Sequence, residues 1–208
     1  KKVTQQLDGI SNDAVFKYED TDQGLESKSR YNAGVHDNSD RYGYDVAAYK
    51  VDRMLDLQMV PTAVIADVEG QEGALSDWID NAITERDRVD KEIPFGGYCA
   101  QFEQYRLRYV YDILIHNDDR NLTNILWTKD TFMMQFIDHS RAFRVSKKRP
   151  KQYQKMDLRV SDLLRSHLLY LNADNLTEAL SAYLHPRQIE AILARRDLIL
   201  KEAQTTSP

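Results

Sequence analysis

The stretch DILIHNDDRNLTNILWTKDTFMMQFIDHSRAFR, residues 112–144, decides how the rest of the chain is interpreted. Its first apolar run, residues 113–115, ends in a polar cluster at residues 116–120. A second apolar run, residues 132–137, ends in Asp-His-Ser. Charged side chains that follow an apolar segment lie at the edge of a core, where they face a cleft. The stretch therefore predicts two polar sites, joined by a hairpin-like segment over residues 124–135.

Three side chains in this stretch have a spacing that suits phosphoryl transfer. Asp119 and Asn124 have the interval D-x-x-x-x-N, and Asp138 follows a short apolar strand. This reaction needs a carboxylate that orients the attacking hydroxyl and ligands for the metal ions that neutralise the phosphates. Protein kinases place a catalytic Asp, an Asn and a metal-binding Asp in the same order. Asp118 has no Asn at that offset, so Asp119 is the candidate base.

The motifs N-D-D-R-x-x-x-N and I-D-H-S-R-A-F resemble those of the atypical protein-kinase-like families. These are the HipA-type kinases, the secretory-pathway casein-kinase group, the CotH spore-coat kinases and relatives of the phosphoinositide kinases. Their shared pattern is N-x-D-R-H-x-x-N, an apolar strand and then D-H-G or D-N-G. This chain has Asn121 where His is usual and Ser140 where Gly is usual. Because Gly relieves backbone strain, Ser140 is expected to stiffen the loop after Asp138.

The resemblance implies an α+β, two-lobed kinase-like fold. Its small, strand-rich N-lobe is expected over residues 1–78, and a mainly helical C-lobe with the catalytic loop over residues 79–208. The implied cofactors are ATP and Mg²⁺ or Mn²⁺, with Asp119 as the catalytic base and Asn124 and Asp138 as metal ligands. The acceptor is a hydroxyl of an unidentified protein, sugar, lipid headgroup or small molecule. Two alternatives stay open: a pseudokinase or regulatory module that holds nucleotide without turnover, and an enzyme that transfers AMP.

The beginning of the chain offers a contact for the nucleotide phosphates. Strands are predicted at residues 3–7 and 14–18, around the hairpin dipeptide Asp8-Gly9. Lys17 follows an apolar pair, as in the V-A-I-K strand of kinases, where the Lys binds the α- and β-phosphates. The alternative is a surface Lys on an edge strand. No G-x-G-x-x-G loop precedes Lys17, so only the tip at Asp8-Gly9 is available to cover the phosphates.

A partner for Lys17 is expected on a helix over residues 41–56, which follows a long polar loop over residues 19–40. The segment Y-D-V-A-A-Y, residues 44–49, resembles the E-x-A-A-Y segment of the same families, in which a Glu pairs with the strand Lys. Here the candidate is Asp45, one methylene shorter. The alternative is a first-turn carboxylate that only complements the helix dipole.

The remaining elements follow from apolar periodicity and turn residues. A hairpin over residues 62–78 leads to residues 76–79, whose backbone is expected to meet the adenine. Residues 80–97 are expected to form an exposed helix and a loop between the lobes. Further helices are predicted over residues 98–115, 157–171, 175–184 and 187–203.

Two other features near Asp138 allow more than one interpretation. His139 is either an outer partner of the metal site or a structural histidine whose ring nitrogens are satisfied within the protein. A basic tract over residues 141–151 is either a solvated loop or a segment that attracts a phosphate or an acidic group of the substrate.

Composition excludes several classes of protein. The net charge of -5 shows no basic excess, so direct nucleic-acid binding is not expected. The single cysteine, Cys99, allows no intramolecular disulfide, which favours a reducing compartment and a cytoplasmic location. No apolar run reaches the length of a membrane span. A removed targeting segment stays open as an alternative, because the chain opens with Lys-Lys.

Overall fold

The computed structural model describes residues 1–7, 10–21 and 39–206. The predicted hairpin tip at Asp8-Gly9 and most of the predicted loop over residues 19–40 lie outside the described residues. The strands are β1 (Lys2–Leu7), β2 (Ile10–Lys17), β3 (Asp20–Thr21), β4 (Asp40–Arg41), β5 (Ala63–Val68), β6 (Gln71–Asp77), β7 (Ala82–Thr84), β8 (Ile125–Thr128), β9 (Met134–Phe136), β10 (Arg159–Ser161) and β11 (Gln204–Thr206). The helices are α1 (Tyr42–Met54), α2 (Glu85–Asp90), α3 (Gln101–Leu114), α4 (Asp162–Tyr170), α5 (Ala173–Leu180) and α6 (Pro186–Glu202).

The first part of the chain builds a four-stranded antiparallel sheet in the order β1-β2-β6-β5. Side chains alternate across a strand, so Ala14 and Phe16 lie on one face of β2 while Lys17 lies on the other. Lys17 pairs with Ala74 of β6, and Ala74 packs against Val46 of α1. The sheet thus places Lys17 on the face that α1 covers.

The end of β2 is held close to β6 at a position that only glycine fits. A Cβ atom on Gly73 would lie 2.3 Å from the carbonyl oxygen of Lys17 and 2.8 Å from the ring of Phe16. Real Cβ atoms do not approach backbone so closely, so a side chain at Gly73 would push the strands apart. Gly73 therefore fixes the backbone of Lys17 against the neighbouring strand.

The second part of the chain is mainly helical and contains most of the core. The buried side of α3 carries Val110, Tyr111, Ile113 and Leu114, which pack with apolar residues of β8, β9 and helices α4 to α6. Pro186 occupies the first turn of α6, where its missing N–H costs no hydrogen bond. Among the described residues, no helix is long and apolar enough to cross a membrane.

The interpretation of residues 80–97 as an exposed helix and a loop is only partly right. Residues 82–84 form β7, which pairs with β8 in a three-stranded sheet with β9, and only the short α2 is helical. This highly charged segment nevertheless contains one buried carboxylate, that of Glu85. Glu85 is buried and accepts hydrogen bonds from Trp127 Nε1 (2.7 Å), Tyr105 Oη (2.8 Å) and Arg88 Nε (2.6 Å).

Candidate functional site

A cleft of about 560 Å³ lies between the four-stranded sheet and the segments around β8 and β9. This volume is in the range that small-molecule and nucleotide sites occupy. Apolar side chains such as Val15, Ala63 and Phe136 line its walls. Four of the predicted site residues also line it, namely Lys17, Asp45, Asn124 and Asp138, and so do all of residues 76–79, the segment expected to meet the adenine.

Lys17 lies between two carboxylates in this cleft. Its Nζ atom is 3.0 Å from Oδ2 of Asp45 and 2.7 Å from Oδ1 of Asp138. The side chains of Lys17, Asp45 and Asp138 are 29%, 6% and 43% exposed, so Asp138 is the most accessible of the three. Burial disfavours the charged form of Lys17, but the two carboxylates outweigh it and raise its pKa above the ordinary value.

Asp45 makes a second contact that ties α1 to the loop after β9. Its Oδ1 atom accepts a hydrogen bond from the backbone N–H of His139 at 2.8 Å. Burial opposes the charge of Asp45, yet Lys17 and then His139 favour it, and the pKa of Asp45 lies well below its usual range. The carboxylate therefore stays ionised and holds both Lys17 and the residue that follows Asp138.

His139 is a structural residue that is almost fully buried. Its Nε2 atom lies 2.9 Å from Nη2 of Arg120, which can only donate, so the proton of the neutral ring belongs on Nδ1, 3.7 Å from Asp45. Burial, together with the nearby Arg120, lowers the pKa of His139, whereas Asp45 acts in the opposite direction. These contacts agree with the structural interpretation of His139 rather than with an outer metal partner.

Arg120 connects the two polar sites, and the sequence did not assign it a role. Its guanidinium pairs with Asp112 of α3 at 3.0 Å, with both side chains fully buried. It also donates to the carbonyl oxygens of Asn124 (2.8 Å) and Ile137 (2.6 Å). Asp112 interrupts an apolar helix face. An isolated carboxylate on such a face is the only feature of the sequence that predicts a buried cationic partner like Arg120.

Asn124 and Asp119 are joined through the backbone of the loop. The Nδ2 atom of Asn124 donates to the carbonyl oxygen of Asp119 at 3.3 Å, which orients the amide so that its oxygen is a separate acceptor. The side chain of Asp119 is 44% exposed, does not line the cleft, and lies 3.5 Å from Nη1 of Arg141. Asp118 points elsewhere, to Arg144 at 3.1 Å.

The backbone at Asp138 has an unusual conformation. Its φ is 60°, in the left-handed region where Asp is tolerated better than most residues. Ser140 has no positive φ, and its carbonyl oxygen accepts from the backbone N–H of Arg41 at 2.9 Å. The turn of the loop therefore occurs at Asp138 itself, and Ser140 contributes an Oγ atom 3.3 Å from the Asp138 carboxylate.

The donor set fits a hard divalent cation. Asp138 offers a partly exposed carboxylate and Asn124 an amide oxygen, and Mg²⁺ and Mn²⁺ prefer oxygen ligands. The described residues contain no group of three or more His, Cys, Asp or Glu side chains that would hold a metal. Mg²⁺ sites with substrate phosphates commonly use one or two protein carboxylates, so this pair suffices for such a site.

The basic tract forms ion pairs at the surface. Arg141 contacts Asp40 at 2.9 Å, Arg149 contacts Glu202, and Lys147 contacts Glu190. Arg141 is the one member of the tract seen beside a predicted site residue, Asp119. Most of this tract thus belongs to the solvated surface.

Comparisons with known proteins place this geometry in a structural context. No protein-family model matches the sequence, and no curated protein matches it. Among solved structures, the structure of hydra Fam20 with sugar is similar to this chain with a TM-score of 0.64 at 14% identity, over 99% of this chain and 84% of that one. The Golgi casein kinase with Mn/ADP bound gives 0.60 at 15% identity, over 92% and 67% of the two chains.

A third similar structure is the Helicobacter pylori proinflammatory kinase CtkA, with a TM-score of 0.55 at 8% identity over 97% of this chain and 88% of that one. Identities this low show the fold alone. The chain therefore has a kinase-like fold, with a strand-rich N-terminal sheet and a helical C-terminal part, as the sequence predicted.

Proposed function

We propose that this protein is an ATP- and divalent-metal-dependent phosphotransferase that acts on a hydroxyl acceptor. The observation that carries the proposal is the convergence of Lys17, Asp45 and Asp138 at one end of a nucleotide-sized cleft. A lysine held between two carboxylates is a fixed cation, and a fixed cation stabilises phosphate charge without reorganisation. The similarity to a kinase structure with Mn/ADP bound supports the same cofactors.

Each predicted residue has a role in this proposal. Lys17, held by Asp45, contacts the nucleotide phosphates. Asn124 and Asp138 would hold the Mg²⁺ or Mn²⁺ ion, which neutralises phosphate charge when it is bound. We expect Asp119 to orient the acceptor hydroxyl and accept its proton, since its carboxylate is 44% exposed and lies outside the cleft lining, where it is accessible to an acceptor.

The boundaries of the lobes are part of the same proposal. We assign residues 1–78 to the N-lobe and 79–208 to the C-lobe. The pairing of β7 with β8 supports a boundary near residue 79, because it attaches residues 82–84 to the second part of the chain. The cleft would then lie between the lobes, with residues 76–79 as the connection that meets the adenine.

The proposal also covers the partners and the compartment. The net charge of -5 favours a nucleotide and an acceptor over a nucleic acid as partners. One cysteine cannot form an intramolecular disulfide, which supports a reducing, cytoplasmic compartment. Fractionation of cells that produce the natural protein tests the compartment, and recovery from a secretory fraction would contradict it.

The experiment that tests the reaction is mass spectrometry after incubation with ATP, Mg²⁺ or Mn²⁺ and a panel of protein, sugar and lipid acceptors. We expect a phosphate adduct with the native chain and none with Asp119→Asn, whereas nucleotide affinity, measured by calorimetry, stays nearly unchanged. Asp118→Asn is the matched control, because this neighbouring carboxylate pairs with Arg144, and it should retain most of the rate.

The other outcomes identify the alternatives. An AMP adduct would replace phosphoryl transfer by nucleotidyl transfer on the same fold. Nucleotide binding without any adduct on the panel or on the chain itself would favour a pseudokinase. A rate retained in Asp119→Asn but lost in Asp118→Asn would move the base to Asp118.

A further inference from the structure

A cluster of basic side chains is buried behind the catalytic loop, away from the cleft. Arg195 of α6 is fully buried, and its Nε donates to the carbonyl oxygen of Leu114 at 2.9 Å. Its Nη1 donates to the carbonyl oxygen of Arg144 at 3.0 Å and to that of Ser146. The guanidinium therefore lies between the end of α3 and residues 144–146, next to the start of the catalytic loop at His116.

The charge of this cluster is not balanced. Arg195 bonds only to backbone carbonyls, and no carboxylate among the described residues pairs with it. Arg144 is paired with Asp118, which is partly exposed, so the cluster keeps one net positive charge. A buried charge without a counter-ion is strongly destabilising, and in proteins such charges are paired or bind an ion.

Four polar atoms of the cluster are buried without a hydrogen-bond partner: Arg195 Nη2, Arg144 Nη1, His116 Nδ1 and Asn117 Nδ2. All four are donors, or can be in the case of the histidine nitrogen. Arg195, Asn117 and His116 are each more than nine-tenths buried. Burial and then the charges of Arg195 and Arg144 lower the pKa of His116 to about 3, which keeps its ring neutral. Arg195 contacts both Leu114, two residues before His116, and the backbone of Arg144.

We propose that Arg195, Arg144 and His116 bind a small monovalent inorganic anion, of the halide class, behind the catalytic loop. One such anion would neutralise the excess charge and accept from donors that otherwise have no partner. Asn117 links this site to the reaction centre, because its Oδ1 accepts from the backbone N–H of Asp119 at 3.1 Å. Occupancy would thus hold the loop segment that carries the proposed base.

The test compares thermal unfolding in sodium chloride, sodium bromide and sodium gluconate at equal ionic strength. An anion that binds only the folded state raises the melting temperature, by about 3–6 °C at ten times its dissociation constant for a chain of this size. We expect this increase in chloride and bromide but not in gluconate. Anomalous scattering from crystals grown in bromide should show a peak among Arg195, Arg144 and His116.

Two variants with similar exposure separate this site from general salt effects. Arg144→Met removes one unpartnered donor and one charge but leaves the backbone carbonyl that Arg195 uses. Arg196→Met is the control, because Arg196 lies next to Arg195 on α6. The side chain of Arg196 is 18% exposed, against 14% for that of Arg144. The halide-specific increase should fall by at least half in Arg144→Met and persist in Arg196→Met.

Equal melting temperatures in chloride and gluconate, with no bromide peak, would overturn the proposal and leave ordered water as the partner of these donors. An increase that is the same in Arg144→Met as in the native chain would place the anion elsewhere and would also overturn it. The measurement does not depend on phosphoryl transfer, so the inference stands or fails independently of the proposed activity.

Discussion

Removing the carboxylate of Asp45 should uncouple Lys17 from the rest of the site. In Asp45→Ala, the backbone N–H of His139 loses its acceptor, and Lys17 keeps only Asp138 at 2.7 Å. An unsatisfied buried donor costs about 1–3 kcal/mol, and loss of the nearly buried ion pair adds to it, so we expect a stability loss of about 2–4 kcal/mol. Because Lys17 would be misplaced, we expect the rate to fall by about 10-fold or more.

Two further substitutions at this position separate the contributions. Asp45→Asn keeps an oxygen for the His139 N–H but loses the attraction to Lys17, so it should lose as much activity as Asp45→Ala and less stability. Asp45→Glu should also be harmful, because the carboxylate is 6% exposed and already lies 3.0 Å from Lys17. An added methylene in such a site costs about 1–3 kcal/mol through overpacking.

The assays are ADP release with Mn²⁺ and ATP, which needs no known acceptor, and urea denaturation for stability. The pKa of Asp45 is lower in the folded state than in the unfolded state, where it is about 3.9. The ionised carboxylate therefore stabilises the fold fully above the unfolded pKa, and this stabilisation is lost as the pH falls through the folded pKa. The stability gap to Asp45→Asn should therefore be widest at neutral pH and close in acid. A neutral Asp45→Ala, or an Asp45→Glu that is more active than the native chain, would refute the pairing argument.

Two other predictions concern single carboxylates. In calorimetric titrations ATP should bind weakly without Mg²⁺, because Asp138 repels the phosphates. Asp138→Asn should reduce the difference between the ATP affinities measured with and without Mg²⁺. Equal affinity of the native chain in the two conditions would show that Asp138 does not bind the metal. Burial raises the pKa of Asp52 to about 6, so its charge opposes folding increasingly as the pH rises through about 4 to 6. Asp52→Asn should then raise the free energy of unfolding, measured by urea denaturation, by about 2 kcal/mol at pH 7.5 and hardly at all near pH 4. An equal difference between the variant and the native chain at both pH values would contradict this.

The sequence predicted the elements whose signals are local. The N-terminal hairpins, α1 and the C-terminal helices are present near their expected positions, because apolar periodicity and turn residues are short-range features. The fold class was predictable because Asp119, Asn124 and Asp138 lie in one stretch with a known order. The prediction for residues 80–97 was only partly right, because sequence alone does not distinguish a buried glutamate from a solvated one. Only contacts with the distant residues Tyr105 and Trp127 show that Glu85 is buried.

The buried network of the site was not predictable for the same reason. Asp112 and Arg120 are only eight residues apart, but Arg120 also donates hydrogen bonds to the carbonyl oxygens of Asn124 and Ile137. These two carbonyls belong to different segments of the chain. A single sequence shows which residues carry charge, but not which charges are removed from water together. Arg195, which bonds to backbone carbonyls and has no carboxylate partner among the described residues, was unpredictable for the same reason, since nothing in its helical context separates it from the neighbouring Arg196.

The carboxylate at position 45 is one methylene shorter than the Glu of the families that the chain resembles. This departure favours a regulatory module over an enzyme, as does the missing glycine-rich loop, and the geometry removes the first of these two arguments. Asp45 reaches Lys17 at 3.0 Å and His139 N at 2.8 Å with one side chain, so α1 lies close enough to compensate for the missing methylene. Through His139 and Arg120 the same carboxylate is connected to Asp112 of α3. Such a network is satisfied at every buried link, and each link constrains the position of Lys17 or of Asp138. A site held in this way suits an enzyme, because a catalytic cation must already be in place when the phosphate charge develops.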